Sequence, residues 1–269
     1  MEKIKLNSFI TRTLTALILI PVVIAALYFS YPWLLILALI FGAMFAWEWA
    51  HMVPSDKPEV YGIIYAVSVA AAILLMSWGA VALFVLGAML LTAYKARHEE
   101  HRFLLVLGVP YIAVGIGSVV WLYFEAGMLL TLWFLIVVWS VDIGGYVVGC
   151  NLKGPKLAPK ISPNKTWSGL FGGVLFAVLA SMVFFKLCSY LNDGVALGYQ
   201  AYFMTFAAII AVIAQIGDLV ESSIKRHLGL KDSSCLIPGH GGVFDRIDGL
   251  IFAAPIVLIV FNMLISFSY

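Results

Sequence analysis

The sequence predicts an all-α polytopic integral membrane protein with about nine transmembrane helices. Three observations carry that expectation. Of its 269 residues, 63% are hydrophobic and 11% charged, whereas a soluble domain carries about 25% charged residues. Its mean hydropathy is +1.04, so its solvent must be largely lipid. The apolar runs are continuous rather than alternating, which suits helices and not a β-barrel.

A helix crossing a hydrocarbon core of roughly 30 Å needs about 20 apolar residues. Segments 9–29, 31–50, 61–78, 79–94, 103–124, 127–149, 169–188, 202–224 and 250–267 meet that need. The first is long, and its "IAALYFSYP" is a poor cleavage site, so it reads as a retained helix rather than a signal peptide. The second ends in "AWEW", with tryptophans suited to an interface. The third and fourth are parted by little more than "SWGA", the loosest boundary of the nine. The fifth and sixth are divided by "EAG". The seventh follows a lysine-rich loop, 150–168, and the last two flank a second polar loop, 225–249.

Charge placement orients the bundle. With the N-terminus in the cytoplasm, Lys3, Lys5, Arg12, Lys57, Lys95, Arg97, Arg102, Lys153, Lys156, Lys160, Lys165, Lys225, Arg226, Lys231 and Arg246 all fall on the cytoplasmic side. Only Lys186 falls outside. Fifteen of sixteen cations on one side is a strong positive-inside pattern and places the C-terminus outside. The short stretch before the first segment fits a bacterial plasma (inner) membrane. Cys150, Cys188 and Cys235 show no paired spacing and read as incidental thiols. No internal repeat is visible, which disfavours many transporter folds. Nothing points to nucleic acid.

The halves differ. Residues 1–130, the first five segments, read as membrane scaffold and hold one embedded acid, Glu48. It is open at this stage whether Glu48 is an interfacial acid or part of a site. Residues 131–269 read as the catalytic membrane region, with Asp142, Asp218, Glu221, Asp245 and Asp248 at or near helix ends.

On the eighth segment, Asp218, Glu221, Ser222 and Lys225 fall within about a 100° arc at helical spacing. A helix end emerging into water could carry such charges. Asp218, however, follows "AAIIAVIAQIG" and still lies within the apolar span, where ionisable groups are costly and mark function. Asp245 and Asp248, three apart, share a helical face, with Arg246 between them. The preceding "PGHGG" can bring bare N–H groups of Gly241 and Gly242 close to a ligand. His240 suits a hydrogen-bonding role better than a zinc site, while His51, His98, His101 and His227 read as interfacial. Carboxylates converging from two helices suit a hard cation such as Mg²⁺. In the 150–168 loop, Ser162, Lys165 and Thr166 precede a helix start, an arrangement suited to phosphate. A basic strip adhering to anionic lipid is the plainer reading of its lysines. Asp142 precedes Gly144 and Gly145 and could instead be a helix-packing contact.

Carboxylates for a divalent metal, with cations for phosphates, suit phosphoryl or nucleotidyl transfer, and the membrane implies that one reactant is a lipid. The run "SSIKRHLGLKDSSCLIPGHGGVFDRID", residues 222–248, resembles the signature of the phosphatidate cytidylyltransferase (CDP-diacylglycerol synthase) family. The resemblance extends to "LAPKISPNKTWSG", "WSVDIGGY" and "AWEW", and no motif position departs from it. It implies transfer of CMP from CTP to phosphatidic acid in the cytoplasmic leaflet, giving CDP-diacylglycerol and pyrophosphate. Mg²⁺ would be held by Asp218 and Asp248, with Asp245 assisting. Lys225, Arg226, Lys231 and Arg246 would neutralise phosphates. Lys165 with Ser162 and Thr166 would hold phosphate or the lipid head, and Asp142 and Glu221 would stand in support. A second cation (K⁺) and a homodimer are further expectations left open. The alternatives are a CTP-dependent lipid kinase of the polyprenol type and an ion- or phosphate-coupled transporter.

Overall fold

The structure is a computed structural model, and it describes residues 17–75, 77–191, 200–234, 236 and 241–266. Within them the chain is nearly all helix. In order come α1 (Leu17–Phe29), α2 (Trp33–Met52), α3 (Pro58–Leu74), α4 (Trp78–Lys95) and α5 (Arg102–Leu152). A short hairpin follows, β1 (Lys156–Ala158) and β2 (Ser162–Thr166), then α6 (Trp167–Leu191), α7 (Gln200–His227) and α8 (Phe244–Ser266).

By length and composition, α2, α4, α5, α6 and α7 can each cross a membrane, and α1 and α3 are shorter apolar helices. Their exposed flanks are apolar, as in Leu83 of α4 and Phe171 of α6, so this is a multi-pass membrane protein. The segments expected at 103–124 and 127–149 run together as the 51-residue α5, broken only at Gly127 (φ 82°, ψ 174°). Glycine adopts that positive φ without the Cβ clash that other residues would meet. The lysine-rich loop departs from a plain loop reading. Its β1 and β2 pair antiparallel, with Lys156 opposite Thr166 and Ala158 opposite Ser162.

Small residues set the closest crossings, as expected where lipid offers no apolar driving force between helices and backbones must approach to gain contact. The end of α5 lies against the start of α6. A Cβ on Gly144 would come within 2.6 Å of the Gly172 carbonyl, and one on Gly149 within 3.4 Å of the Gly169 Cα. The Asp142 neighbourhood therefore does contain a glycine-lined helix contact. The crossing of α7 and α8 is as tight. A Cβ on Gly217 would lie 3.1 Å from the Asp248 carbonyl, and one on Gly249 would lie 3.0 Å from the Ala214 carbonyl. Because these two glycines let the helices touch, their sequence neighbours Asp218 and Asp248 are brought face to face.

An aromatic cluster anchors the start of α8. Phe244 stacks on Phe45 (centroids 4.8 Å apart) and lies 5.4 Å from Trp49. Trp49 in turn donates to the Leu104 carbonyl at 3.1 Å, tying α2 to the start of α5.

Candidate active site

Three carboxylates meet at the α7–α8 crossing. One oxygen from each of Asp218, Glu221 and Asp248 lies within 4.8 Å of the others. Asp218 and Glu221 share a face because they stand three apart on α7, and Asp248 faces them from the second turn of α8. Glu221 is buried, at 1% exposure. Clustered hard oxygen donors are the donor set a divalent cation such as Mg²⁺ takes, so the residues present fit a divalent metal.

Cations line the same place. The Lys165 ammonium, carried on β2, pairs with Asp218 Oδ2. Lys225 Nζ lies 2.6 Å from Glu221 Oε1 and 2.7 Å from Asp245 Oδ1, bridging α7 to α8. Ser222 Oγ donates to Asp218 Oδ1 at 3.4 Å, one turn along α7. Carboxylates outnumber the lysines that meet them here, four to two. Like charges this close repel, and nearby cations offset that repulsion.

Asp245, expected among the metal ligands, is not one of the three grouped carboxylates but adjoins them, sharing Lys225 and a side-chain hydrogen bond with Glu221. Besides Lys225, it accepts the N–H of Gly242 at 2.8 Å and of Ser233 at 3.1 Å, so it folds the 225–249 loop back onto α8. Gly242 thus gives its N–H to Asp245. A Cβ there would lie 2.7 Å from Glu48 Oε1, while Gly241 adopts φ 84°, with any Cβ 2.6 Å from Asp245 Oδ2. Both positions demand glycine on steric grounds. Asp248 accepts the N–H of Gly249 at 2.7 Å.

The other candidates divide. Thr166 is buried and caps α6: its Oγ1 accepts the Gly169 N–H at 3.1 Å, a helix-capping role. Ser162 opens β2, half-buried. Arg226 is exposed and donates to the carbonyls of Ile161 (3.3 Å) and Leu230 (3.0 Å), which ties the hairpin to the turn after α7. Lys231 is exposed on that turn. Arg246 and Asp142 share the wall of one cavity. His240 lies outside the described residues.

Glu48 is buried against the start of α8 rather than exposed. It is 1% exposed. Its carboxylate accepts the N–H groups of Val243 and Phe244, both at 2.8 Å, and the hydroxyls of Ser234 (2.5 Å) and Ser233 (3.4 Å). A negative group at a helix N-terminus satisfies N–H donors that have no partner within the helix and meets the positive end of its dipole. Ser233 and Ser234 were not singled out by sequence, since only their partner 185 or more residues away marks them.

Residues 10–264 match the Cytidylyltransferase family. Among similar proteins, the Phosphatidate cytidylyltransferase of Rickettsia felis (strain ATCC VR-1525 / URRWXCal2) is 30% identical over 260 residues, covering 97% of this chain and 95% of the relative. That of Brucella suis biovar 1 (strain 1330) is 35% identical over 228 residues, covering 81% and 73%. That of Rickettsia bellii (strain RML369-C) is 39% identical over 169 residues, covering 62% and 72%.

Proposed function

The chain belongs to the cytidylyltransferase family, and on that premise we propose that it transfers CMP from CTP to phosphatidic acid. The products are CDP-diacylglycerol and pyrophosphate. The observation that carries the reading is the meeting of Asp218, Glu221 and Asp248 beside Lys165 and Lys225 at a helix crossing of a membrane protein. Two anionic reactants, one of them a lipid, need this pairing of carboxylates and cations.

A phosphatidate oxygen forms a bond to the α-phosphorus of CTP. The bond from that phosphorus to the bridging oxygen of the β-phosphate breaks, and its electron pair leaves with pyrophosphate. The attacking phosphate is already ionised near neutral pH, so no side chain need take a proton from it. Asp218 and Asp248, joined by Glu221, would hold Mg²⁺, which would supply positive charge to offset that of the phosphates. K⁺ is the candidate for a second cation. Lys165 passes from Asp218 to a phosphate oxygen when substrate arrives. Lys225 keeps Glu221 and Asp245 in register. Lys231 and Arg246, with Arg226 bracing the hairpin, add positive potential for the triphosphate. The fifteen-to-one cation split supports a site on the cytoplasmic face of the membrane.

The test is product analysis with purified protein in detergent, supplied with CTP, phosphatidic acid and Mg²⁺ and with no gradient. CDP-diacylglycerol and pyrophosphate in equal amounts are expected. Release of CDP with a newly phosphorylated lipid would make it a lipid kinase. Absence of turnover without a gradient would favour a transporter.

A further inference from the structure

An apolar cavity of about 320 Å³ lies among α1, α2, α5 and α8. Its two charged lining residues are Asp142 and Arg246, and Arg246 sits between Asp245 and Asp248 on the first turn of α8. Glu48, near the end of α2, bonds to the start of α8, so the start of α2 lies at the far end from α8's first turn. Leu34, at that far end, lines the same cavity together with Leu27 of α1 and Leu135 of α5. These three leucines are buried against one another. The cavity therefore runs from a charged end beside the carboxylates to a closed leucine end. From Phe41 to Leu34 it covers about 10 Å along α2, at 1.5 Å per residue.

We propose that this cavity seats one acyl chain of the phosphatidate substrate and that Ala38, Phe41 and Val120 set which chains fit. The inference rests on the function proposed above. A phosphate head and an acyl chain are covalently joined, so their sites must be continuous. Here the charged end, with Arg246, meets the carboxylate site, while the remainder is hydrocarbon. Lipid outside is as apolar as the cavity, so burial gives little driving force. Selection comes from shape: a chain that fits lets the phosphate reach the α-phosphorus, and a blocked cavity holds it away.

Ala38→Phe fills the cavity from α2 without touching the carboxylates. Its kcat/KM for dioleoyl phosphatidate should fall on the order of tenfold or more, while its KM for CTP and its rate on dihexanoyl phosphatidate stay unchanged. Leu83→Phe, on the exposed face of α4, should alter neither lipid. In parallel, wild-type protein is photolabelled with phosphatidate carrying a diazirine in its acyl chain. Label within residues 34–41 and 116–139 is expected, and this readout does not depend on the variant folding. Equal effects of Ala38→Phe on both lipids, or label spread over α4 as densely as over the cavity, would overturn the proposal while wild-type CDP-lipid synthesis stood. Failure of the wild-type protein to make CDP-lipid would overturn the functional reading, and the acyl-chain proposal with it.

Discussion

Replacing Glu48 by alanine removes the only side chain from the first half of the protein that the described residues show bonded to the signature loop. The carboxylate accepts two backbone N–H groups at 2.8 Å, from Val243 and Phe244, and two serine hydroxyls. The hydroxyls can rotate to other acceptors. The N–H groups cannot, and both residues are buried with 0% exposure. A buried donor left unsatisfied costs about 1–3 kcal/mol, so two cost about 2–6 kcal/mol. Water entering beside Ser233 and Ser234 offsets part of this, leaving about 2–4 kcal/mol. At about 2–4 °C per kcal/mol for a chain of this size, the melting temperature in detergent should fall by about 4–16 °C. The start of α8 would also move, carrying Asp245 and Asp248 with it, so CDP-lipid synthesis should fall more steeply than the folded fraction. Glu48→Gln keeps one acceptor oxygen but turns an amide donor toward the second N–H, and should fall between wild type and Glu48→Ala. The readouts are monodispersity on heating and CDP-lipid formation at a temperature where each variant is folded. A Glu48→Ala protein that melts with the wild type and keeps its activity would refute the bonding argument.

Cysteines introduced into the 150–168 and 225–249 loops of intact cells should resist impermeant thiol reagents, and one near the C-terminus should react; outside labelling of either loop would reverse the orientation. Lys165→Gln should cut turnover in neutral micelles far more than Lys153→Gln, and Lys165→Arg should not restore it, because the Lys165 contact depends on geometry. Equal losses, both mimicked by added salt, would make the loop a membrane-adhesive strip. Lys225→Met leaves the buried Glu221 and the Asp245 carboxylate unpaired, and breaking such a pair costs about 3–5 kcal/mol; a thermal shift below 2 °C would contradict its bridging role.

Local periodicity made the α7 part of the site legible. Asp218, Glu221, Ser222 and Lys225 share a face by helical spacing alone, and the Ser222–Asp218 and Lys225–Glu221 contacts are each one turn long. The crossing partner was legible only in outline. That Asp248 would meet α7 followed from its residue type and place, but that Glu221 rather than Asp245 completes the group depends on the rotation of α8. That rotation is set by the contacts of Gly217 and Gly249. The Lys165–Asp218 and Glu48–Val243 contacts join residues 53 and 195 positions apart, beyond any periodic signal. The hairpin was hidden because its strands are three and five residues long and carry little apolar alternation. Asp218, the acid that Lys165 of β2 meets, likewise comes from another element, α7. The capping bond of Thr166 to Gly169 follows from its place before a helix start, the same place that suits a phosphate-binding threonine.

The most direct test of the α7–α8 carboxylate centre is turnover in Asp218→Asn and Asp248→Asn, each an isosteric change that removes one negative charge. Both proteins should fold and elute as the wild type does. With CTP, phosphatidic acid and saturating Mg²⁺, each should make CDP-diacylglycerol on the order of a hundredfold or more slowly. Near wild-type rates in both variants would contradict the assignment and place the metal elsewhere.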